Sequence, residues 1–156
     1  QVQLLRSEKQ GGKKMLQNEI VMEKGPHPIP ALGRKKHLLV VDDDKAIQTL
    51  LARVLSFKGY DVALAGNGLE ALTLFHEDSF DLVLTDLHMP IMDGGRFSRL
   101  VKEQSPNTPV IMITGEADSN RFWENLNMNC VDAIIPKPFK LKEIDTTVQR
   151  LLNSGT

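Results

Sequence analysis

One stretch of the sequence decides the fold: Phe80-Asp81-Leu82-Val83-Leu84-Thr85-Asp86-Leu87-His88-Met89-Pro90. Its apolar run, Leu82 to Leu84, is too short for a helix that ends in proline and is typical of a buried strand. The run stops at Asp86, and Pro90 cannot continue a hydrogen-bonded ladder. Ligands bind outside the carboxyl ends of the strands in open parallel sheets, so Asp86 is a candidate site residue.

Similar apolar runs recur along the chain, and each is followed by a helical pattern. The predicted strands besides 82–86 are 38–41, 60–65, 110–113 and 133–135. The predicted helices cover 46–57, a segment after Gly68, 94–103, a segment from Asp118 or Ser119 to about Met128, and 141–152. The first helix carries Ile47, Leu50, Leu51, Val54 and Leu55 at helical spacing. Five strand–helix units with continuous apolar strands predict an α/β fold, a doubly wound parallel sheet with helices on both faces.

Composition excludes several classes of function. Net charge is −1, from 19 basic and 20 acidic residues, so the chain has no overall attraction to nucleic acid or membrane. A single cysteine, Cys130, excludes an intrachain disulfide and a multi-cysteine metal site. No apolar run approaches the length that spans a bilayer.

The first 36 residues differ in pattern from the rest. Gly25-Pro26-His27-Pro28-Ile29-Pro30 cannot be helical, and a basic triplet, Arg34-Lys35-Lys36, closes the segment. We expect 1–36 to be a flexible arm or linker with one helical piece between Lys13 and Lys24. Residues 37–153 form the folded domain, and 154–156 are a tail. Because the chain opens with Gln1, it is expected to be a piece of a longer protein.

Acidic residues follow two of the predicted strands. Asp42 and Asp43 come after the first strand, and Asp86 ends the third. Like charges about 4 Å apart repel by about 4 kcal/mol at an effective dielectric constant near 20, so such a cluster persists only with a cation. Carboxylate oxygens suit a hard octahedral ion, which makes Mg²⁺ the first choice and Mn²⁺ the second. A helix N-terminus alone also favours acidic residues, and Asp44 is expected to serve only as such a cap.

Two further strand ends supply complementary groups. Lys137 follows the fifth strand, and its ammonium can balance the carboxylates and pair with a phosphoryl oxygen. Thr114 ends the fourth strand and offers a hydroxyl donor. Charge neutralisation and positioning supply most of the catalysis of phosphoryl transfer. The pattern therefore predicts Asp86 as the nucleophile that forms an aspartyl-phosphate.

Four motifs in this order resemble the receiver domain of two-component response regulators. They are Leu38-Leu39-Val40-Val41-Asp42-Asp43-Asp44, Leu84-Thr85-Asp86-Leu87-His88-Met89-Pro90-Ile91-Met92-Asp93-Gly94, Ile113-Thr114-Gly115 and Lys137-Pro138-Phe139. The resemblance covers His37 to about Asn153. It implies a flavodoxin-like (βα)5 fold with strand order 2-1-3-4-5.

The resemblance also implies a function. A phosphohistidine on a histidine kinase or phosphotransfer protein would donate to Asp86, and the domain would act mainly as a switch that catalyses its own phosphorylation and dephosphorylation. Mg²⁺ would bind Asp43 directly, Asp42 mainly through water, Asp86, and the backbone carbonyl of His88. Thr114 and Lys137 would contact the phosphoryl group.

The family also suggests a cellular setting. The bond between Lys137 and Pro138 is cis in the family, and the face of the fourth and fifth helices and fifth strand meets an output partner. The expected location is the cytoplasm, either free or tethered to a membrane sensor kinase. The chain would be a stand-alone regulator or the terminal receiver of a hybrid sensor kinase, with no direct contact to nucleic acid or membrane.

Two departures from the family pattern stand out. Ile134 occupies the position three residues before the lysine, where the family usually has Tyr or Phe. An aromatic rotamer switch is therefore not expected. The segment between Thr114 and Lys137 is one residue longer than usual, which predicts an irregular end to the fourth helix.

The sequence also fits parts of the patterns of two other functions. Gly66-Asn67-Gly68-Leu69-Glu70-Ala71 fits a dinucleotide-binding fingerprint, but it follows the second strand and leaves Asp42, Thr114 and Lys137 unexplained. A haloacid-dehalogenase-like phosphatase would use Asp42 as nucleophile and Asp44 as acid. That family favours Gly-Thr after the second acid, whereas this chain has Lys45.

Overall fold

The computed structural model describes residues 33–115 and 128–155. All of the helices and strands described belong to the unit Lys35–Thr156. The helical piece predicted between Lys13 and Lys24 lies outside the described residues. So does the helix predicted from Asp118 or Ser119, apart from its last residue, which opens a 3-10 turn, Met128–Cys130. None of the described helices is long and apolar enough to cross a membrane.

A five-stranded parallel sheet forms the centre of the domain, with strand order β2-β1-β3-β4-β5. The strands are β1 (His37–Val41), β2 (Asp61–Ala65), β3 (Leu82–Asp86), β4 (Val110–Thr114) and β5 (Ala133–Pro136). This confirms the predicted fold class and strand order. The predicted strand limits differ from the observed ones by about one residue, as expected where hydrogen bonding frays at strand ends.

Four described helices cover the two faces of the sheet. They are α1 (Lys45–Phe57), α2 (Gly68–Glu77), α3 (Gly94–Gln104) and α4 (Leu141–Asn153). Successive strand residues point to opposite faces. One face therefore packs Leu38, Val40, Leu82 and Leu84 against Leu51 and Leu55 of α1 and Ile144 and Val148 of α4. The other packs Leu39, Val41 and Val83 against Ala71 and Phe75 of α2 and Phe97 and Val101 of α3.

Polar side chains cap three of these helices at their N-termini. Asp44 Oδ1 accepts from the backbone N–H of Ala46 at 2.8 Å, which confirms Asp44 as the cap of α1. Asn67 caps α2 and Asp93 caps α3 in the same way. Each cap contributes about 1 kcal/mol and fixes where the helix begins relative to the strand before it. The strand ends therefore have defined positions.

The buried face of α1 does not coincide fully with the apolar set predicted from the sequence. Leu50 belongs to the helical apolar set, yet its side chain is 42% exposed. Gln48, a polar residue, is only 3% exposed and shares the buried face with Leu51 and Leu55. Positions 48, 51 and 55 are spaced by three and four residues, so they lie on one side of the helix. The buried glutamine faces the edge of the sheet where the site lies.

Candidate functional site

The carboxyl ends of β1, β3 and β5 bring acidic and basic side chains together. Asp42 and Asp43 follow β1, Asp86 is the last residue of β3, and Lys137 follows β5. These strands are parallel, so their carboxyl ends lie at one edge of the sheet. The sequence-predicted residues thus meet where the topology requires.

Carboxylate oxygens of Asp42, Asp43 and Asp86 lie within 4.8 Å of one another. Asp42 and Asp86 are buried, whereas Asp43 is exposed to solvent. Two full negative charges at such a distance repel by about 3–4 kcal/mol at an effective dielectric constant near 20. Ionised carboxylates are held this close only where positive charge compensates them.

Lys137 supplies part of that compensation. Its Nζ lies 3.2 Å from Asp86 Oδ1 and 3.3 Å from Asp42 Oδ2. Burial alone would lower the pKa of this ammonium, but the negative charges of Asp42 and Asp86 outweigh burial and raise it above its usual value. Lys137 therefore stays charged at neutral pH and bridges two strand ends.

One lysine does not compensate fully. Burial raises the pKa of the Asp86 carboxyl above its usual value; the attraction of Lys137 opposes this, and repulsion from Asp42 adds to it. Ionisation of Asp86 is thus less favourable in the folded domain than in water. A further cation at the exposed side, next to Asp43, would reverse that balance.

The donor set fits a hard divalent cation. Three carboxylates that can each offer one oxygen within 4.8 Å of the others suit Mg²⁺, which prefers oxygen ligands and retains several waters. The exposed carboxylate of Asp43 leaves the cluster open to solvent on one side. The residues present therefore fit the predicted metal, and which of them ligate it stays a prediction.

The backbone around Asp86 is held by its neighbours. The Thr85 hydroxyl donates to the Asp86 carbonyl at 2.9 Å, and the Gly94 N–H donates to the Leu87 carbonyl at 2.8 Å. A Cβ on Gly94 would lie only 1.9 Å from the Asp86 carbonyl oxygen. Position 94 thus requires glycine because α3 starts in direct contact with the Asp86 backbone. The sequence motif predicted a loop at Gly94 but did not predict this contact.

The remaining predicted site residues are Thr114, which ends β4, and His88, which follows β3 by two residues. Thr114 ends β4 and is fully buried, and the Lys137 N–H donates to its carbonyl at 2.9 Å. It lies one residue beyond Ile113, the register partner of Asp86. His88 is exposed in the loop after β3. The hydroxyl donor role of Thr114 and the ligand role of the His88 carbonyl stay predictions.

Four backbone N–H groups in the glycine-rich turn and the start of α2 donate to acceptors within the protein. The Gly68 N–H donates to the Met92 carbonyl at 3.0 Å, and the Gly66 N–H donates to Glu70 Oε2 at 2.7 Å. The next two N–H groups of the helix donate to Asn67 Oδ1. A dinucleotide phosphate would need these donors, so the turn is structural and the fingerprint reading fails.

A family model described as the response regulator receiver domain matches residues 38–149. The chain belongs to the response regulator receiver family.

Individual relatives support this assignment for the receiver domain. The response regulator MprA of Mycolicibacterium vanbaalenii is 37% identical over 119 residues, which are 76% of this chain and 51% of the relative. The probable transcriptional regulator ycf27 of Cyanidium caldarium is 36% identical over 119 residues, 76% of this chain and 47% of the relative. The chain therefore spans about half the length of these curated relatives.

Solved structures match the same region. A CheY-like receiver domain protein from Methanospirillum hungatei superimposes with a TM-score of 0.72 at 30% identity, covering 78% of this chain and 96% of that one. The response regulator TrrA of Thermotoga maritima, solved in complex with Mg²⁺ and BeF, matches with a TM-score of 0.67 at 30% identity. That match covers 74% of this chain and 98% of TrrA.

Two further features of this receiver domain can be compared with the family pattern, one that follows it and one that departs from it. The Lys137–Pro138 peptide bond is cis. Ile134 stands in β5, where the family usually has an aromatic residue, and it is half-buried against Met112 of β4. The described β5 thus carries an aliphatic side chain at that position.

Proposed function

We propose that this receiver domain takes a phosphoryl group from a phosphohistidine onto Asp86 in a Mg²⁺-dependent reaction and signals by a change of conformation. The observation that carries the proposal is the Lys137 ammonium, 3.2 Å from Asp86 Oδ1, beside three carboxylates within 4.8 Å of one another. A cation, an acceptor carboxylate and an opening to solvent are what phosphoryl transfer to a carboxylate requires.

Each proposed role follows from the position of the group. An Asp86 oxygen forms a bond to phosphorus while the P–N bond to the donor imidazole breaks, and the imidazole nitrogen keeps the electron pair and takes up a proton. Lys137 Nζ, already next to Asp86 Oδ1, contacts a phosphoryl oxygen. Thr114 offers its hydroxyl from the end of β4. When bound, Mg²⁺ would neutralise the carboxylates and the phosphoryl oxygens.

The phosphatase alternative finds less support in the contacts. Its general acid would be Asp44, whose carboxylate accepts from the N–H groups of Ala46 and Ile47 as the cap of α1. Its nucleophile would be Asp42, which is almost completely buried and accepts from the Asp44 N–H at 2.9 Å. It predicts a phosphoryl adduct on Asp42, whereas our proposal predicts one on Asp86.

The wider setting belongs to the same proposal. A histidine kinase or histidine phosphotransfer protein is the donor, and an output partner binds the face that includes β5 and α4. Residues 37–153 are the receiver domain, preceded by an arm at 1–36 and followed by a tail at 154–156. The domain works in the cytoplasm, as a stand-alone regulator or as the terminal receiver of a hybrid sensor kinase. The full gene decides between these two, because a kinase core upstream of Gln1 would support the second.

Replacing Asp43 with asparagine should weaken Mg²⁺ binding. Asp43 is the exposed member of the cluster, and its loss removes one of the negative charges that attract the ion. We expect the dissociation constant to rise roughly tenfold or more, since about 1.4 kcal/mol of lost attraction is a factor of ten. Isothermal titration or NMR titration with Mg²⁺ measures this.

Asp44→Asn is the matched control for this prediction. It removes a neighbouring exposed charge, but asparagine caps a helix as well as aspartate does, so α1 is preserved. An equal loss of Mg²⁺ affinity in both variants would contradict a ligand role for Asp43 and indicate only a general effect of charge.

Replacing Lys137 with alanine should affect signalling more than phosphorylation. The acceptor oxygen stays available, but the contact between the ammonium and Asp86 is lost, and with it a link from β3 to β5. Acetyl phosphate with Mg²⁺ should still label the variant, while the NMR shifts that accompany phosphorylation at Thr114 and Ile135 should shrink by a larger fraction than the labelling rate. An undiminished response would contradict the proposed role.

A further inference from the structure

A buried glutamine lies directly behind the acidic cluster and is not among the predicted site residues. Gln48 is 3% exposed on the inward face of α1. Its Nε2 donates to the carbonyl of Asp42 and, at 2.9 Å, to the carbonyl of Ala65. Its Oε1 accepts from Lys45 Nζ at 3.3 Å. The amide thus ties the end of β1 to the end of β2.

The partners determine which way the amide points. Both carbonyl oxygens can only accept, so the NH₂ group must face Asp42 and Ala65. The ammonium of Lys45 can only donate, so the amide oxygen must face it. Both hydrogens of the amide and its oxygen are therefore used. Two backbone carbonyls and one ammonium, those of Asp42, Ala65 and Lys45, therefore hold the glutamine amide in a single orientation.

The bond to Asp42 acts on the peptide unit that joins two members of the cluster. The carbonyl of Asp42 and the N–H of Asp43 belong to one planar unit. Holding that carbonyl prevents the plane from rotating, and the plane carries the Cα atoms of both acidic residues. The Asp44 N–H donates to Asp42 Oδ1 at 2.9 Å and so orients the Asp42 carboxylate separately.

Without such a restraint, the repulsion among the carboxylates would favour rotation of this peptide plane and separation of the two side chains. Burying a glutamine costs more free energy than burying an aliphatic residue of similar size, because glutamine loses more side-chain freedom and gives up hydrogen bonds to water. The hydrogen bonds of Gln48 to the ends of β1 and β2 are contacts that an aliphatic residue could not make.

We infer that Gln48 is a positioning residue for Mg²⁺, which holds the Asp42–Asp43 peptide so that both carboxylates face the ion. This inference rests on the proposed function. Gln48 touches neither the ion nor the phosphoryl group, and it acts through the Asp42 backbone. Its effect should therefore appear in metal affinity and in the Mg²⁺ concentration that half-saturates phosphorylation, not in the rate at saturating Mg²⁺.

The test replaces Gln48 with methionine, which has a similar length and volume but cannot donate. We expect the Mg²⁺ dissociation constant, measured by NMR or calorimetric titration, to rise about tenfold, because partners that orient metal ligands typically account for 10–100-fold in affinity. The labelling rate with acetyl phosphate at saturating Mg²⁺ should stay within about threefold of the wild type, whereas a 10²-fold or larger loss is typical when a group that contacts the transition state is removed.

The matched control is Gln149→Met, the same change at an exposed position of α4, where the amide donates to Asp145 of the same helix. An unchanged dissociation constant in Gln48→Met, or an equal change in both variants, would overturn the inference. A fall in melting temperature without a change in Mg²⁺ affinity would overturn it too, because it would leave Gln48 a merely structural role. Failure of the wild type itself to bind Mg²⁺ or to be labelled would instead overturn the proposed function.

A measurement on the wild type covers the case in which Gln48→Met does not fold. The side-chain NH₂ protons of Gln48 should exchange slowly with solvent and shift in the NMR spectrum when Mg²⁺ is added. Those of Gln149 should exchange quickly and not shift. Gln48 protons that exchange as fast as those of Gln149 and do not respond to Mg²⁺ would overturn the inference.

Discussion

Replacing Asp86 with asparagine is expected to abolish labelling by acetyl phosphate and Mg²⁺. The wild type should gain the mass of one phosphoryl group, and peptide mapping should place it on Asp86. Asparagine has nearly the same shape but no nucleophilic carboxylate oxygen, so no acyl phosphate can form. The rest of the cluster would be retained.

Asp44→Asn serves as the control here as well, because it removes a carboxylate that lies near the cluster but caps α1. This variant should be labelled like the wild type. Labelling that persists in Asp86→Asn would move the acceptor elsewhere. An adduct on Asp42 would favour the phosphatase alternative.

The same substitution should stabilise the protein when Mg²⁺ is absent. The pKa of Asp86 is raised in the folded state, chiefly by burial, so its ionisation costs folding free energy. For a raised carboxyl pKa, stability falls as the pH rises from the unfolded pKa through the folded one. Asparagine avoids this cost, so Asp86→Asn should melt higher than the wild type at neutral pH, and the difference should shrink as the pH falls toward 4. Thermal melts with EDTA across this range measure it, and a lower melting temperature for Asp86→Asn at neutral pH would contradict it.

Replacing Gly94 with alanine is expected to destabilise the domain and displace the acceptor residue. The new Cβ would lie 1.9 Å from the Asp86 carbonyl oxygen and 3.0 Å from Thr85 Oγ1, so backbone must move. Forcing extra atoms into a packed site costs about 1–3 kcal/mol, and more where the neighbour is backbone. Alanine is otherwise the better helix former, so a loss of stability would isolate the effect of the contact.

Chemical denaturation measures the free energy of unfolding, and labelling by acetyl phosphate reports on Asp86. The matched control is Gly115→Ala, because a Cβ at Gly115 has no atom of the described residues within 4 Å and should leave stability almost unchanged. An equal free energy of unfolding for Gly94→Ala and the wild type would show that α3 can move away from the Asp86 backbone without loss of stability. In that case Gly94 would not hold the acceptor backbone in place.

Much of the site was predictable because strand ends are visible in the sequence. Asp42 and Asp86 follow continuous apolar runs, and parallel pairing brings such ends to one edge whatever the loops do. The pairing of Lys137 with them could be predicted as well, since it follows the fifth such run. The sequence also indicated that Asp44 is a cap, from its place before an amphipathic pattern.

Other features could not be predicted from local pattern. Gln48 looked like an ordinary helix residue, although a polar residue in line with Leu51 and Leu55 was a signal that could have found it. The reason for Gly94 depends on a contact with a backbone atom eight residues earlier in the chain, and no local pattern reports such a distance.

The sequence by itself determined the alternation of strands and helices, the caps, and which charged side chains stand at the strand ends, because these depend on periodicity and on short-range hydrogen bonding. Only the tertiary structure decided that the Lys137 ammonium lies within 3.3 Å of both Asp42 and Asp86 and that the Gln48 amide holds the Asp42 carbonyl. It also decided that burial raises the pKa of Asp86. Charge interactions and burial depend on distances through space between residues far apart in the chain, and those distances exist only once the chain has folded.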